Sequence, residues 1–485
     1  MKRSFILLAL ILSCSAIVPA TAQNKNELEK TVNSICKEND MKHATLSVEV
    51  YNISKNQVVY SHDAQRSVAP ASLNKLFTTA AGFEKLGANF RFKTSLTYSG
   101  NIDNHGVLHG NLYIIGGGDP LLGSYRYKQT CPDTLFSTWA KILRNNGIKS
   151  IDGRICFDAT IFDNQNLNDS WQWGDIGNYY GSGVSGLNFH ENMYFAFFAP
   201  GKKIGYPATL ERTQPKDINI RSNNEVLTGP ENSGDNVIIY GDPNNPMRSY
   251  KGTIPMGKKS FSVRGALPSP GQTCAELFAR YLRNNSINVS SNVTEVFSKR
   301  ENTHTLLDYF SNTYYVIAQY TNLTSNNIYA ESIFKYLGYH QTGQGSYATG
   351  SKAVMNYIGT LGLESSGIHI VDGSGLSRQN TVTADFLCRF LAKTAQRSFF
   401  KDYNNTLAKV GESGTARNLL PNLPQSIDMR VKSGTMECVR NYAGYVLTEN
   451  GDMLCFAVLC SNYDGSSSAI KTRIEKILYS IATLK

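Results

Sequence analysis

The chain has 485 residues, of which 41% are apolar and 18% are charged. This composition excludes a disordered or fibrous protein, and the length exceeds what one hydrophobic core usually organises, so two or three domains are expected. The formal net charge is +10, but the basic residues form no dense cluster. That pattern argues against nucleic-acid binding and leaves at most peripheral contact with a membrane.

The N-terminus has the pattern of a secretory signal peptide. Lys2-Arg3 precedes an apolar run at residues 5–12, and Ala20-Thr21-Ala22 offers a small-x-small cleavage site. Residues 1–22 are therefore predicted to be removed on export, leaving a soluble mature protein. The apolar run is shorter than the roughly 20 residues that a membrane span needs. Lipoprotein processing at Cys14 is the alternative.

The first part of the mature chain predicts a β-hairpin followed by a helix. Residues 44–51 alternate between apolar and polar side chains, and a second extended run at 57–61 follows a turn-forming segment. Pro70 then interrupts the pattern. Residues 72–86 carry apolar side chains at helical spacing, which predicts a helix with one buried face.

The middle of the chain has a different texture. Residues 101–252 contain short alternating stretches among many glycines, asparagines and aspartates, which predicts a mostly β insertion. The segment 252–272 is rich in Pro and Gly and suggests the return to the main domain, since a helical pattern resumes after it. We place the insertion at residues 91–264 and the main domain at 23–90 and 265–485.

The last part of the chain predicts three strands and a closing helix. The strands fall at 429–432, 442–448 and 453–461, with an Asn-Gly turn between the last two, and an amphipathic helix follows at 471–484. Two strands near the N-terminus and three near the C-terminus predict one central antiparallel sheet flanked by helices and built from both chain ends. The fold class is α/β in the α+β sense.

A Ser-x-x-Lys pattern at Ser72 and Lys75 is the first candidate for chemistry. The pattern is common, since it also begins at Ser34, Ser332, Ser398 and Ser468. Only Ser72 stands at the start of a predicted helix directly after a Pro-Ala pair. Side chains three apart share one helix face, so the Lys75 amine can reach the Ser72 hydroxyl. The helix N-terminus also offers unpaired N–H groups to a developing oxyanion.

A lysine can activate a serine only when the lysine is neutral, and burial or a second nearby cation lowers its pKa. The sequence Lys432-Ser433-Gly434-Thr435 supplies such a second lysine on a predicted strand, with a glycine that lets a substrate backbone approach. Between the two segments lies Ser325-Asn326-Asn327, ahead of a helical run. A role for Ser325 as a helix cap is the alternative there.

In this order, the three segments resemble the three-part signature of penicillin-binding proteins and serine β-lactamases. The segments 371–378 (VDGSGLSR) and 116–120 (GGGDP) resemble the S13 carboxypeptidase family, the penicillin-binding-protein-4-like group. The long stretch between Ser72 and Ser325 is similar to the inserted domains of that family. The resemblance covers nearly the whole mature chain and implies a transpeptidase-like domain in the periplasm.

The resemblance implies a serine-type D-alanyl-D-alanine carboxypeptidase that acts on peptidoglycan stem peptides and is inhibited by β-lactams. Ser72 is then the acylated nucleophile, Lys75 its general base and Ser325 a proton relay to the leaving amine. Asn327 holds the substrate amide and the Lys75 side chain. Carboxypeptidase and endopeptidase action use the same acyl-enzyme, so the balance between them stays open, as does the oligomeric state.

The remaining implied roles concern the third segment. Lys432 tunes the site electrostatically, and Ser433 and Thr435 receive the terminal carboxylate of the substrate. The backbone N–H groups of Ser72 and Thr435 form the oxyanion hole, next to Gly434. Ser433 stands where many family members have Thr, and it keeps the hydroxyl.

Two further residues are candidates for substrate binding. Arg378 is able to pair bidentately with a carboxylate of the stem peptide, although a structural salt bridge is an equal alternative. Asp175 lies in the insertion and could meet the substrate, although packing within a surface loop explains it as well.

No cofactor or metal site is expected. His105 and His109 are four residues apart but stand in turn-like sequence, which is not a metal-binding pattern. The eight cysteines after the signal peptide are dispersed, without a C-x-x-C pair. One or two disulfides could form after export, with a pairing that the sequence leaves open.

Two rival functions remain. A serine β-lactamase shares the acyl-enzyme, but the Glu-x-x-x-Asn pattern of class A enzymes is not evident before the third segment. A catalytically inactive wall-binding protein of the same fold is the second rival. Labelling by a fluorescent penicillin distinguishes all three functions.

Overall fold

A computed structural model describes residues 20–290, 292–297 and 302–484, with side chains from residue 25 onward. Cys14 and residues 1–19 of the predicted signal peptide lie outside these residues. The first described helix is Ala20–Cys36. Within the described ranges no helix has the length and apolar character needed to cross a membrane. No disulfide joins the eight cysteines that these ranges contain.

The main domain is built on a six-stranded sheet in which every neighbouring pair is antiparallel. Its strands come from both ends of the chain, as the sequence predicted. Met453–Ser461 lies between an N-terminal and a C-terminal strand. In spatial order the strands are Ala408–Lys409, Asp428–Met436, Val439–Leu447, Met453–Ser461, Thr45–Asn52 and Gln57–His62.

Helices cover both faces of this sheet, which confirms the predicted fold class. Alternate residues of a strand face opposite sides, and Met453–Ser461 shows this clearly. Its residues Cys455, Ala457 and Leu459 belong to one core, whereas Leu454, Phe456 and Val458 belong to the other. Two terminal helices, Ala20–Cys36 and Ser467–Ala482, pack on the second face.

The helices on the first face include the two that carry the candidate site residues Lys75 and Asn327. They are Asn74–Lys85, Tyr314–Thr324, Asn327–Thr342, Tyr347–Thr360, Ala384–Thr394 and Phe400–Thr406. We name Asn327–Thr342 the Asn327 helix. Short 3₁₀ turns lie at Asn39–Met41, Ala71–Leu73, Tyr179–Gly181, His190–Asn192 and Gly414–Ala416.

The insertion has two parts, each with its own hydrophobic core. The first combines two sheets with the helices Pro132–Asn145 and Pro270–Asn284, so it is more helical than predicted. One sheet has the strands Thr294–Glu295, Ile155–Asp158, Leu112–Ile115, Lys93–Ser99 and Thr303–Phe310. The other has Asn288–Val289, Ser150–Ile151, Val107–His109 and Asn101–Ile102.

The second part of the insertion is all β apart from the short helix Trp173–Ile176 that leads into it. It consists of two three-stranded sheets. One has the strands Thr209–Gln214, Met193–Ala199 and Phe261–Ala266. The other has the strands Arg221–Gly229, Met247–Pro255 and Asn236–Tyr240.

The end of the insertion differs from the expected boundary at residue 264. Helix Pro270–Asn284 packs its buried face into the first insertion core, where Phe278 contacts Trp139. Strand Thr303–Phe310 pairs along Lys93–Ser99 of the insertion sheet. We therefore place the return to the main domain near residue 310. A helical pattern in the sequence locates a helix but does not say which core its apolar face joins.

Candidate active site

Ser72 lies in the 3₁₀ turn Ala71–Leu73, and the α-helix Asn74–Lys85 begins directly after it. The predicted continuous helix from residue 72 therefore starts with a tighter turn. Ala71 has a φ of +49°, in the left-handed region. A residue of the main sheet fixes the chain just before this turn. The Asn441 amide donates hydrogen bonds to the carbonyl oxygens of Ala69 (2.9 Å) and Pro70 (3.0 Å).

The Lys75 ammonium nitrogen lies at the centre of the site. It donates to Ser72 Oγ at 2.9 Å, Asn327 Oδ1 at 2.7 Å and the Ser374 carbonyl oxygen at 2.8 Å. Lys75 is completely buried. Its three acceptors come from the 3₁₀ turn Ala71–Leu73, the Asn327 helix and the loop 371–378. We name the first the nucleophile turn, after the predicted role of Ser72, and the last the Asp372 loop. The side chain is therefore fixed from three sides.

Burial lowers the pKa of Lys75 to about 7, against the opposing effects of the Glu331 and Asp372 carboxylates. Removal from water disfavours the charged ammonium, so a sizeable fraction of Lys75 is neutral near physiological pH. Burial also lowers the pKa of Lys432 well below its usual range, and the charge of Lys75 adds to that effect. The main cause of the low Lys75 pKa is thus burial, whereas the sequence had pointed to a second lysine as well.

Ser325 and Lys432 form a second pair. The Lys432 amine donates to Ser325 Oγ at 3.0 Å and to the Ser433 carbonyl oxygen at 2.7 Å, and Lys432 is completely buried. Ser325 has a φ of +57° and ends the helix Tyr314–Thr324. The N-cap of the Asn327 helix is Asn326, so the structure does not support the alternative of Ser325 as that cap.

Gly434 lies beside the nucleophile turn. A Cβ atom at this position would come within 2.7 Å of the Pro70 carbonyl oxygen and 3.1 Å of the Ser72 nitrogen. Only glycine fits there without displacing the strand or the turn. The neighbouring Ser433 hydroxyl donates to Thr415 Oγ1 at 2.9 Å.

A cavity of about 440 Å³ opens over these groups. Six predicted site residues line it, namely Ser72, Asp175, Ser325, Asn327, Arg378 and Thr435. The rest of its lining is Gln172, Tyr180, Gly375, Leu376, Met436 and Glu437. A larger cavity of about 640 Å³ lies elsewhere and contains no predicted site residue. We assign the site to the smaller cavity because the reactive groups converge there.

Arg378 and Asp175, the two further candidates for substrate binding, line the same cavity. The Arg378 guanidinium is 3.9 Å from the exposed carboxylate of Glu437, which is a loose ion pair that leaves Arg378 able to bind another carboxylate. Burial raises the pKa of Asp175, whereas a hydrogen bond with Tyr180 and the charge of Arg378 lower it. Asp175 and Arg378 thus face the same cavity from the insertion and the main domain.

Several groups at the site were not foreseen from the sequence. Glu331 is completely buried and accepts the main-chain N–H groups of Gly373 (2.8 Å) and Ser374 (2.7 Å). Burial, followed by the nearby Asp372 charge, raises the pKa of Glu331 to about 8. Glu331 follows Asn327 by four residues, a spacing that puts both on one helix face. The Ser374 carbonyl oxygen, which accepts a hydrogen bond from Lys75, could not be predicted from the sequence, because every residue has a main-chain carbonyl group.

Within the described ranges, no group of three or more His, Cys, Asp or Glu side chains is arranged to hold a metal ion. His109 contacts Asp103 Oδ2 at 3.1 Å and Asp152 Oδ2 at 3.3 Å on the surface.

An antiparallel sheet covered by helices, with a buried lysine against a serine at the start of a helix, is the architecture of the penicillin-binding serine enzymes. The family model for the D-Ala-D-Ala carboxypeptidase 3 (S13) family matches residues 28–482. The chain belongs to this family, which confirms the resemblance drawn from the motifs. It is 26% identical to the D-alanyl-D-alanine carboxypeptidase of Actinomadura sp. (strain R39), over 93% of this chain and 84% of that protein.

Solved structures show the same fold. The crystal structure of penicillin-binding protein 4 from Haemophilus influenzae matches with a TM-score of 0.80 at 23% identity, over 95% of this chain and 99% of that one. The same protein complexed with a β-lactam matches with a TM-score of 0.73 at 21% identity, over 94% and 97% of the two chains.

Proposed function

We propose that this chain is a serine-type D-alanyl-D-alanine carboxypeptidase that acts on peptidoglycan stem peptides through an acyl-enzyme on Ser72. One observation carries the proposal: a completely buried lysine, with its pKa lowered to about 7, donates a 2.9 Å hydrogen bond to the serine hydroxyl. Family membership and the carboxypeptidase relatives support the same reaction.

In the acylation step, neutral Lys75 takes the proton of Ser72 Oγ, and Oγ attacks the carbonyl carbon of the penultimate D-Ala. The negative charge develops on the carbonyl oxygen, where the N–H groups of Ser72 and Thr435 are able to stabilise it. The absence of a side chain at Gly434 keeps this space open. The bond to the terminal D-Ala nitrogen then breaks.

The leaving amine needs a proton at that moment. We assign to Ser325 the relay of the proton that Lys75 took from Ser72 to this amine, because Ser325 lines the cavity and its hydroxyl is held by Lys432 at 3.0 Å. Water then hydrolyses the acyl-enzyme and returns Ser72 to its starting state. Each reacting group is positioned before substrate arrives, which lowers the cost of reaching the transition state.

Substrate recognition is assigned to groups around the cavity. Ser433 and Thr435 receive the terminal carboxylate, with the Ser433 hydroxyl released from Thr415, and Asn327 binds a substrate amide. Arg378 binds a carboxylate of the stem peptide, and Asp175 contacts the same part of the substrate from the insertion. The burial of Asp175 beside the Arg378 charge supports this pairing of roles.

The setting of the reaction follows from the N-terminus and the substrate. We propose export by the signal peptide at residues 1–22 and a periplasmic location, where stem peptides are available. Carboxypeptidase action is the function we choose, because the family and the Actinomadura relative carry that name. β-Lactams are the expected inhibitors, and the Haemophilus protein has been crystallised with one.

A labelling gel with a fluorescent penicillin tests the function. Stable label is the expected result, because β-lactams acylate the same serine and the acyl-enzyme then persists. Rapid loss of label would identify a β-lactamase. No label on the folded protein would leave only the inactive wall-binding alternative.

A further inference from the structure

A segment of the insertion is hydrogen-bonded to elements that surround the Lys75 nitrogen. We name residues 168–182 the strap. Its first part binds the Asp372 loop: the Asn168 amide donates to the Val371 carbonyl oxygen (2.8 Å) and Ser170 Oγ lies 2.6 Å from Ser377 Oγ. Its last part reaches the Asn327 helix. The strap therefore touches two of the three elements that surround the Lys75 nitrogen.

Asp372 lies at the centre of the contact between the strap and the Asp372 loop. Its buried carboxylate accepts the main-chain N–H groups of Gly375 (2.8 Å) and Ser377 (2.7 Å). The Asn380 amide donates to it at 2.9 Å, and the Trp171 indole N–H donates at 2.9 Å. A buried carboxylate is stable only with such donors, and it folds the loop around itself. The strap thus supplies one of the four hydrogen bonds that the Asp372 carboxylate accepts.

Asn327 is the second contact. Its amide nitrogen donates to the Tyr180 carbonyl oxygen at 2.6 Å, while its Oδ1 accepts from Lys75 at 2.7 Å. An amide group carries its N–H donors and its acceptor oxygen in one plane, where they point in different directions. The carbonyl of the strap therefore selects the orientation in which Oδ1 faces the lysine.

We infer that the strap is a positioning element of the reaction: it holds the Asp372 loop and the Asn327 amide so that Ser374 and Asn327 both present acceptors to Lys75. This inference rests on the proposed role of Lys75 as the base. It assigns to the insertion a part in catalysis through two groups that do not react, the Trp171 indole N–H and the Tyr180 carbonyl group. Among the described residues that line the cavity are Gln172, Asp175 and Tyr180 of the strap, but not Trp171.

Trp171→Phe tests the inference, because it removes the indole N–H and keeps an aromatic ring in the buried site. Trp173→Phe is the matched control: Trp173 is 58% exposed and stacks on Tyr240. We expect the acylation rate constant of Trp171→Phe for benzylpenicillin to fall roughly three- to thirtyfold, since hydrogen bonds to buried charged groups are among the stronger ones. The dissociation constant of the non-covalent complex should stay unchanged.

Amide hydrogen exchange supplies a second readout that does not depend on activity. Exchange in the peptide covering 371–378 should become faster in Trp171→Phe and stay at the wild-type rate in Trp173→Phe. Unchanged exchange there, with or without slower acylation, would overturn the inference, as would faster exchange with an unchanged acylation rate. If the wild-type protein is not acylated at all, the proposed function fails, and exchange alone still decides whether the strap holds the loop.

Discussion

At the scale of single residues, Lys75 and Lys432 are two buried lysines with different surroundings. Lys75 contacts Ser72 and has a pKa near 7 because of burial. Lys432 contacts Ser325, and both burial and the charge of Lys75 hold its pKa well below the usual range. We assign the base to Lys75 and hydrogen bonding to Lys432.

Replacing Lys432 by Gln separates a hydrogen-bonding role from an electrostatic one. Acylation by penicillin in the wild type should rise with pH up to about 7, where Lys75 becomes neutral, and then level off. Because burial is the first cause of that pKa, Lys432→Gln should lower the plateau and leave the acid limb where it is. The measurement is the acylation rate from about pH 6 to 10.

A shifted limb would contradict this assignment. If the Lys432 charge holds the Lys75 pKa down, its loss raises that pKa, and the limb moves to higher pH. Raising the Lys75 pKa by one corresponds to about 1.4 kcal/mol. Activity would then recover in alkaline buffer, and the electrostatic role of Lys432 implied by the family resemblance would be restored.

Gly434→Ala tests the close approach of the strand to the nucleophile turn. The added methyl group would lie 2.7 Å from the Pro70 carbonyl oxygen, so the turn that carries Ser72 has to move. We expect acylation to fall at least about tenfold, since a misplacement of this size is costly in catalysis. Gly359→Ala is the control: a Cβ there meets nothing within 4 Å. Equal acylation rates for the two variants would contradict the account.

At the scale of elements, the sequence predicted five of the six strands of the main sheet, missing the two-residue strand Ala408–Lys409, but it did not predict where every helix packs. The alternation in Thr45–Asn52 and the apolar run in Met453–Ser461 sufficed, because successive side chains of a strand face opposite sides, and a strand buried on both faces is apolar throughout. Helix Pro270–Asn284 was predicted as a helix of the main domain, whereas its buried face joins the first core of the insertion. The amphipathic pattern of a helix is the same whichever hydrophobic core its apolar face packs against.

Phe278→Ala tests where that helix belongs. Phe278 is completely buried between Phe136 and Trp139 of the insertion, and its truncation should cost about 3–5 kcal/mol of stability. Amide exchange should rise in residues 93–158 and 270–310 more than in the helices at 314–406. Equally faster exchange in both regions would show that the helix stabilises the main domain instead.

At the scale of the whole molecule, three short motifs predicted residues that the fold brings together around one cavity. Ser72, Ser325 and Thr435 line it, although they lie far apart in the chain. The Ser374 and Tyr180 carbonyl groups could not have been predicted, because every residue has such a group and only the tertiary fold selects them. The family match over residues 28–482 agrees with a site assembled from nearly the whole chain.

The measurement that tests the central claim most directly is the site of penicillin acylation. Intact-mass analysis followed by peptide mapping should find one acyl group on Ser72 in the wild type and none in Ser72→Ala. Ser468→Ala, which removes an exposed serine of another Ser-x-x-Lys pattern, should be labelled like the wild type. Label on any other serine, or label that persists in Ser72→Ala, would contradict the account.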